Sequence, residues 1–116
     1  MNNQIQRYAS VVGVRDSKVA QYRELHKAVW PEVLAVIKSS RICNYSIYLR
    51  KLVDGRYYLF SYFEYVGTDF SGDMARMIEH PVTKRWWAES VPCLELLPDR
   101  ALGEVWSPMT EVFHVD

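Results

Sequence analysis

The sequence predicts an α+β fold of the ferredoxin-like type, a split βαβ sandwich built on one antiparallel sheet. Two observations carry that expectation. The first is the element order: strand, helix pair, strand, strand, helix pair, strand. The second is a break before proline at matching places in the two halves, Trp30-Pro31 and His80-Pro81. The length, 116 residues, suits one domain spanning 1–116 with one hydrophobic core.

The first strand is read from the β-branched and aromatic run Tyr8 to Val14, which ends at the turn-forming Asp16-Ser17. Ser17 is expected to cap a helix whose Val19, Tyr22, Leu25, His26 and Val29 recur at helical spacing. Trp30 precedes proline and is pushed out of the α region, and Pro31 then opens a second helix to about Lys38. Cys43 to Leu52 and Arg56 to Tyr65 form a hairpin across the Asp54-Gly55 turn signal. Asp69 to Glu79 and a helix from Pro81 toward Val91-Pro92 repeat the broken pair. Pro98 to Pro108 reads as a connector, and Thr110 to Val115 as the fourth strand.

The two central strands are apolar on both faces. Tyr45, Ile47 and Leu49 share one side with Tyr48 opposite, and Tyr57, Leu59, Phe63 and Tyr65 alternate with Tyr58, Phe60 and Tyr62. A half-solvated sheet would alternate apolar with polar. The face away from the helices is therefore expected to pack on something, most simply a second subunit about a two-fold axis, with a closed pocket over part of it as the alternative.

Composition narrows the function. Fourteen basic and fourteen acidic residues cancel, which argues against nucleic acid and against a polybasic membrane contact. Aromatic residues reach 14%, a surplus that suits a site or interface using flat, amphipathic rings. Cys43 and Cys93 have neither redox nor metal-type spacing and read as free thiols. The polar start, from Met1 to Arg7, lacks the apolar run of a signal peptide, so the expected location is cytoplasmic.

Among chemically capable residues, His26 lies one turn after Tyr22, so the two side chains project together. They are either a hydrogen-bonded core pair or the wall of a pocket in which His26 moves a proton near neutral pH. Trp86 and Trp87 point about 100° apart on a helix, so one can fill the core while its neighbour borders a cavity or a partner; the two are either packing anchors or a stacking surface for a sugar ring. His80 reads as a surface or capping residue, and His114 has no ligand partner at metal spacing. Asp69 and Asp73 read as a solvated helical pair, and Glu64 as a weak candidate for a site acid. No phosphate loop, nucleophile elbow or metal-binding cluster is present in the sequence.

The strings His26-Lys27-Ala28-Val29-Trp30-Pro31-Glu32, Asn44-Tyr45-Ser46-Ile47-Tyr48-Leu49, Arg85-Trp86-Trp87 and Glu111-Val112-Phe113 resemble the L-rhamnose mutarotase family in order and separation. The resemblance covers nearly the whole chain. It departs at Lys27-Ala28, where family members often carry proline, and over Asp69 to Glu79 and Pro98 to Pro108. It implies a dimer of ferredoxin-like subunits, the dimeric α+β barrel type, with no cofactor and no metal. The implied activity is that of an isomerase interconverting the α and β anomers of a 6-deoxy sugar, L-rhamnose first and L-fucose next. The family's proton-donating histidine looks like His26, and its sugar-contacting residues look like Tyr22, Tyr45, Trp86 and Trp87.

Ring opening needs a base at the anomeric hydroxyl and an acid at the ring oxygen. His26 is expected as that acid, with the base a tyrosine, a carboxylate or a water. Two alternatives belong to other classes. One is a cofactor-free monooxygenase or a haem-handling protein on the same dimeric scaffold, and the other is a sugar-binding module without catalysis.

Overall fold

The computed structural model describes residues 4–116. Strand β1 (Gln6–Val14) leads through a 3₁₀ turn (Asp16–Lys18) into α1 (Val19–Lys27) and α2 (Pro31–Ser39). The hairpin β2 (Ile42–Lys51) and β3 (Tyr57–Tyr65) follows, then α3 (Phe70–Glu79) and α4 (Pro81–Ser90). A second 3₁₀ turn (Val91–Cys93) ends in β4 (Leu94–Glu95), and β5 (Ser107–Pro108) closes the order. The sheet runs β2-β3-β1-β4, entirely antiparallel, with β5 also on β1. This is the α+β, ferredoxin-like arrangement expected from the element order.

Local chemistry explains the joints. Trp30 and His80 both take extended ψ values, 133° and 131°, because each precedes a proline that opens the next helix. At the second break His80 acts as the cap, its Nδ1 accepting from the Val82 amide at 3.1 Å. In the hairpin Gly55 sits at φ +81°, and its amide donates to the Leu52 carbonyl at 2.9 Å. A bulge between Cys43 and Ser46 holds Asn44 at φ +49°, with its side-chain amide donating to Glu64 Oε1 at 2.7 Å. The extra residue puts both Ile42 and Tyr45 on the helix-facing side of the sheet, opposite Tyr65 and beside Phe63 respectively.

The interior consists of two clusters. Val12, Val14, Leu59, Cys93 and Leu94 pack with Tyr22 between the sheet and α1. Val33, Val36, Val82 and Trp86 pack between α2 and α4. Leu25 touches both, and a cavity opens between them. Cys43 and Cys93 are free thiols. Among the described residues no helix is long and apolar enough to cross a membrane.

Four expectations change. Thr110 to Val115 forms no strand pairing among the described residues, so His114 is not in a strand; the fourth strand is Leu94–Glu95. The stretch read as a connector contributes β5, where Pro108 is tolerated because this is a short edge strand. Ser17 caps no helix: it lies within the 3₁₀ turn, and Lys18 is the N-cap of α1 without a side-chain bond. Asp73 is not on a solvated face; it accepts from the Tyr65 hydroxyl and pairs with Arg76, which together hold its carboxyl below the usual carboxylate range. Asp69 caps α3 through the Gly72 amide.

The sheet face away from the helices leaves Tyr48 65% exposed, and beyond the Arg7–Glu111 ion pair Phe113 is 78% exposed.

Gly13 lies opposite Glu95, and a Cβ there would stand 2.6 Å from the Glu95 carbonyl oxygen. Gly13→Ala must therefore displace β4 from β1. A loss of about 1–3 kcal/mol is expected, as for other overpacked sites. The midpoint of chemical denaturation measures it, and an unchanged midpoint would show that β4 yields freely.

Candidate active site

Helix α1 sets the chemistry of one wall. Tyr22 and His26, four residues apart, stack with ring centroids 4.1 Å apart and planes 25° from parallel. The His26 Nδ1 lies 2.9 Å from the Tyr22 carbonyl oxygen. A carbonyl can only accept, so Nδ1 carries the proton and Nε2 is left with the lone pair when the ring is neutral. The backbone of the same helix turn thus selects the tautomer.

Helix α4 supplies the facing wall. Trp86 is buried, at 7% exposure, and its ring meets the His26 ring nearly edge-on at 5.3 Å. Behind it Trp30, released from helical geometry by Pro31, packs edge-on against Trp86 at 5.1 Å. Trp87 is 39% exposed at the rim. One tryptophan fills the core and its neighbour borders the opening, as the angular offset of adjacent helical residues requires.

The sheet provides the floor. Tyr45, turned inward beyond the Asn44 bulge, joins Ile47, Leu49 and Leu59. Its ring is 42% exposed, while burial around its hydroxyl raises the phenol above its ordinary value. Tyr22 is also raised, first by burial and then by the Tyr45 and Cys93 charges, so it stays a neutral phenol.

The result is a cavity of about 760 Å³, within the usual size of small-molecule sites. His26, Tyr22, Tyr45, Trp86 and Trp87, from three separate elements, all line it. Arg23, Lys27, Met77 and Thr83 also line it and were not singled out from the sequence. For Thr83 the available signal was its spacing, three residues before Trp86 and four before Trp87. No carboxylate is among the lining residues. Glu64 is elsewhere: on the far face of the sheet it accepts from Asn44 and Tyr62, beside Arg7, His114 and Asp116. Among the described residues no group of three or more His, Cys, Asp or Glu could hold a metal ion.

The raised Tyr22 value has a stability consequence. Folded Tyr22 holds its proton more tightly than the unfolded chain does, so its contribution is fully present below about pH 10 and is lost as pH rises toward the folded value. In urea titrations at pH 8 and pH 11, Tyr22→Phe should lose less stability between the two pH values than wild type. Equal losses would mean that Tyr22 is not held neutral by the fold.

Comparison with known proteins bears on this arrangement. Residues 7–115 match a family model described as L-rhamnose mutarotase. The L-rhamnose mutarotase of Flavobacterium johnsoniae is 30% identical over 119 residues, covering 100% of both chains. That of Jannaschia sp. is 28% identical, covering 96% of this chain and 99% of its own. Among solved structures, L-rhamnose mutarotase FA22100 from Formosa agariphila superposes with a TM-score of 0.69 at 23% identity, covering 96% of this chain and 99% of the other. A protein of Nitrosomonas europaea provisionally named an antibiotic biosynthesis monooxygenase shares the fold at a TM-score of 0.57 and 12% identity, covering 94% and 89%. With the match running from β1 to the last residues of the chain, the protein belongs to the L-rhamnose mutarotase family, a family of isomerases acting on carbohydrates.

Proposed function

We propose that this protein interconverts the α and β anomers of a 6-deoxy sugar, L-rhamnose before L-fucose, by general acid–base opening and closure of the pyranose ring. The observation that carries the reading is His26 on the wall of an aromatic cavity, with its Nδ1 held by the Tyr22 carbonyl and its Nε2 unengaged among the described residues. The names of the full-length relatives support the reaction and the first sugar.

Opening breaks the bond between the anomeric carbon and the ring oxygen. A proton leaves the anomeric hydroxyl, whose oxygen becomes the aldehyde oxygen, and a proton arrives on the ring oxygen. Rotation about the C1–C2 bond and the reverse step give the other anomer. His26 Nε2, protonated, donates to the ring oxygen. Tyr22, kept neutral by burial, is unsuited to act as a phenolate base and serves as a hydrogen-bonding group. Among the described lining residues there is no carboxylate, and the base we assign is a water from solvent, which takes the anomeric proton and passes it to bulk water. Tyr45 orients a sugar hydroxyl, while Trp86 and Trp87 face the C–H side of the ring and shelter the C6 methyl.

We take residues 1–116 as one mutarotase domain that works as a homodimer. The apolar outer sheet face and the unpaired tail with Val112, Phe113 and Val115 exposed support self-association. The free thiols suit a cytoplasmic enzyme.

Exchange NMR on L-rhamnose and L-fucose tests the reaction. Wild type should accelerate α/β exchange of L-rhamnose, and His26→Ala should lose roughly 10²–10⁴-fold in rate while keeping its circular dichroism. Retained rate in the variant would remove His26 from catalysis, and binding without acceleration would make the protein a sugar-binding module. The parent hexose of the same configuration should turn over more slowly than the 6-deoxy sugar, and equal turnover would sink the methyl-sheltering role. For assembly, size-exclusion chromatography with light scattering at micromolar concentration should give more than 13.6 kDa, and a clean monomer would refute the dimer.

A further inference from the structure

We infer that the Thr83 hydroxyl is a sugar-binding and specificity group, contacting a substrate hydroxyl away from the reacting carbon. This rests on the 6-deoxy sugar reading above and assigns a new contact within that site.

Thr83 is 6% exposed and lines the cavity. Among the described residues four serines and threonines are buried, and two of them are satisfied inside the fold. Ser40 Oγ donates to the Val36 carbonyl at 2.7 Å, and Ser61 Oγ shares a hydrogen bond with Ser10 Oγ at 2.6 Å. Ser90 and Thr83 have no side-chain partner among the described residues, and only Thr83 of the two faces the cavity. A threonine in a helix can return its hydroxyl to the carbonyl one turn back, but the Thr83 hydroxyl does not do so, and the Glu79 carbonyl receives nothing from it. Nor is the hydroxyl sealed in: the side-chain polar atom fully closed off without a partner is Ser107 Oγ. Thr83 lines the cavity with its hydroxyl unpartnered among the described residues, so a ligand there can supply the missing hydrogen bond.

Its position suits a hydroxylated ring. Thr83 precedes Trp86 by three residues on α4, so it stands on the same helix face nearly one turn away, about 4.5 Å along the axis. Trp86 is the ring that meets His26. A pyranose laid against Trp86 with its ring oxygen at His26 Nε2 would thus bring a hydroxyl remote from C1 toward Thr83. A hydroxyl both donates and accepts, so it pairs with a sugar hydroxyl in either sense. That contact does not change as the ring opens, so it contributes to substrate and transition-state binding alike.

Thr83→Val replaces the hydroxyl with a methyl of similar shape and keeps the β-branch, and Thr83→Ser keeps the hydroxyl. Kinetics of L-rhamnose anomer exchange by NMR should show KM raised about 3–10-fold in Thr83→Val, the worth of one neutral hydrogen bond, with kcat within two-fold of wild type. Thr83→Ser should bring KM back toward wild type. Of the 2-, 3- and 4-deoxy analogues, the one lacking the contacted hydroxyl should be handled equally by wild type and Thr83→Val. Active wild type with unchanged KM in Thr83→Val, or a loss shared equally by Thr83→Ser, overturns this inference alone. Wild type that fails to accelerate L-rhamnose exchange overturns the mutarotase reading and this inference with it.

Discussion

A helix cannot run on through the residue before a proline, because the proline ring crowds that residue's backbone out of the α region. This chain meets that constraint at Trp30 and again at His80. Each break lets one helix of a pair pack on the sheet while the next turns toward its counterpart in the other half. The α2–α4 cluster consequently forms apart from the sheet cluster, and the cavity is the space between them. Trp30 shows the economy of the arrangement: the residue that ends one helix is also the ring that buttresses Trp86.

The cavity's chemistry follows from what the fold allows inside it. Polar groups arrive on helices already satisfied by backbone, as with His26 and the Tyr22 carbonyl, or as neutral hydroxyls kept neutral by burial. The carboxylates with such partners lie outside the cavity instead: Asp54 accepts from Tyr58, Glu64 from Asn44 and Tyr62, and Asp73 from Tyr65 and Arg76, and all three are held below the usual carboxylate range. A reaction that needs only one proton delivered and one removed fits such an interior better than one that builds and holds a full negative charge on a carboxylate.

How far the sequence discloses this depends on whether the signal is local. The pairing of Tyr22 with His26 and the division of labour between Trp86 and Trp87 follow from helical spacing, and the proline breaks follow from one residue's backbone geometry. The end of the chain is different. Val112, Phe113 and Val115 carry the composition of a strand, yet strand formation needs a partner edge, and β1 offers its free edge to Ser107–Pro108 instead. Asp73 reads as solvated because its partner, Tyr65, lies across the α3 junction and not on the same helix. Ser17 has a capping residue's identity without the geometry, since the chain makes a 3₁₀ turn first. For Thr83 the spacing gives only the helix face it shares with Trp86, because a threonine facing solvent and one facing a cavity have the same spacing.

The bulge at Asn44 has a bearing on how this family member can change. Side-chain direction along a strand is a two-step alternation, and an extra residue at one point resets it. Upstream of the bulge Ile42 seals the core, and downstream Tyr45 joins the cavity floor, although an odd number of steps separates them. Substitutions can tune either segment independently. Losing Asn44 would close the bulge into an unbroken alternation that still keeps Ile42 and Tyr45 on one face, and would remove the amide that holds Glu64. The extra residue thus serves the outer face, where Asn44 meets Glu64, and leaves the inward direction of both halves of the strand unchanged.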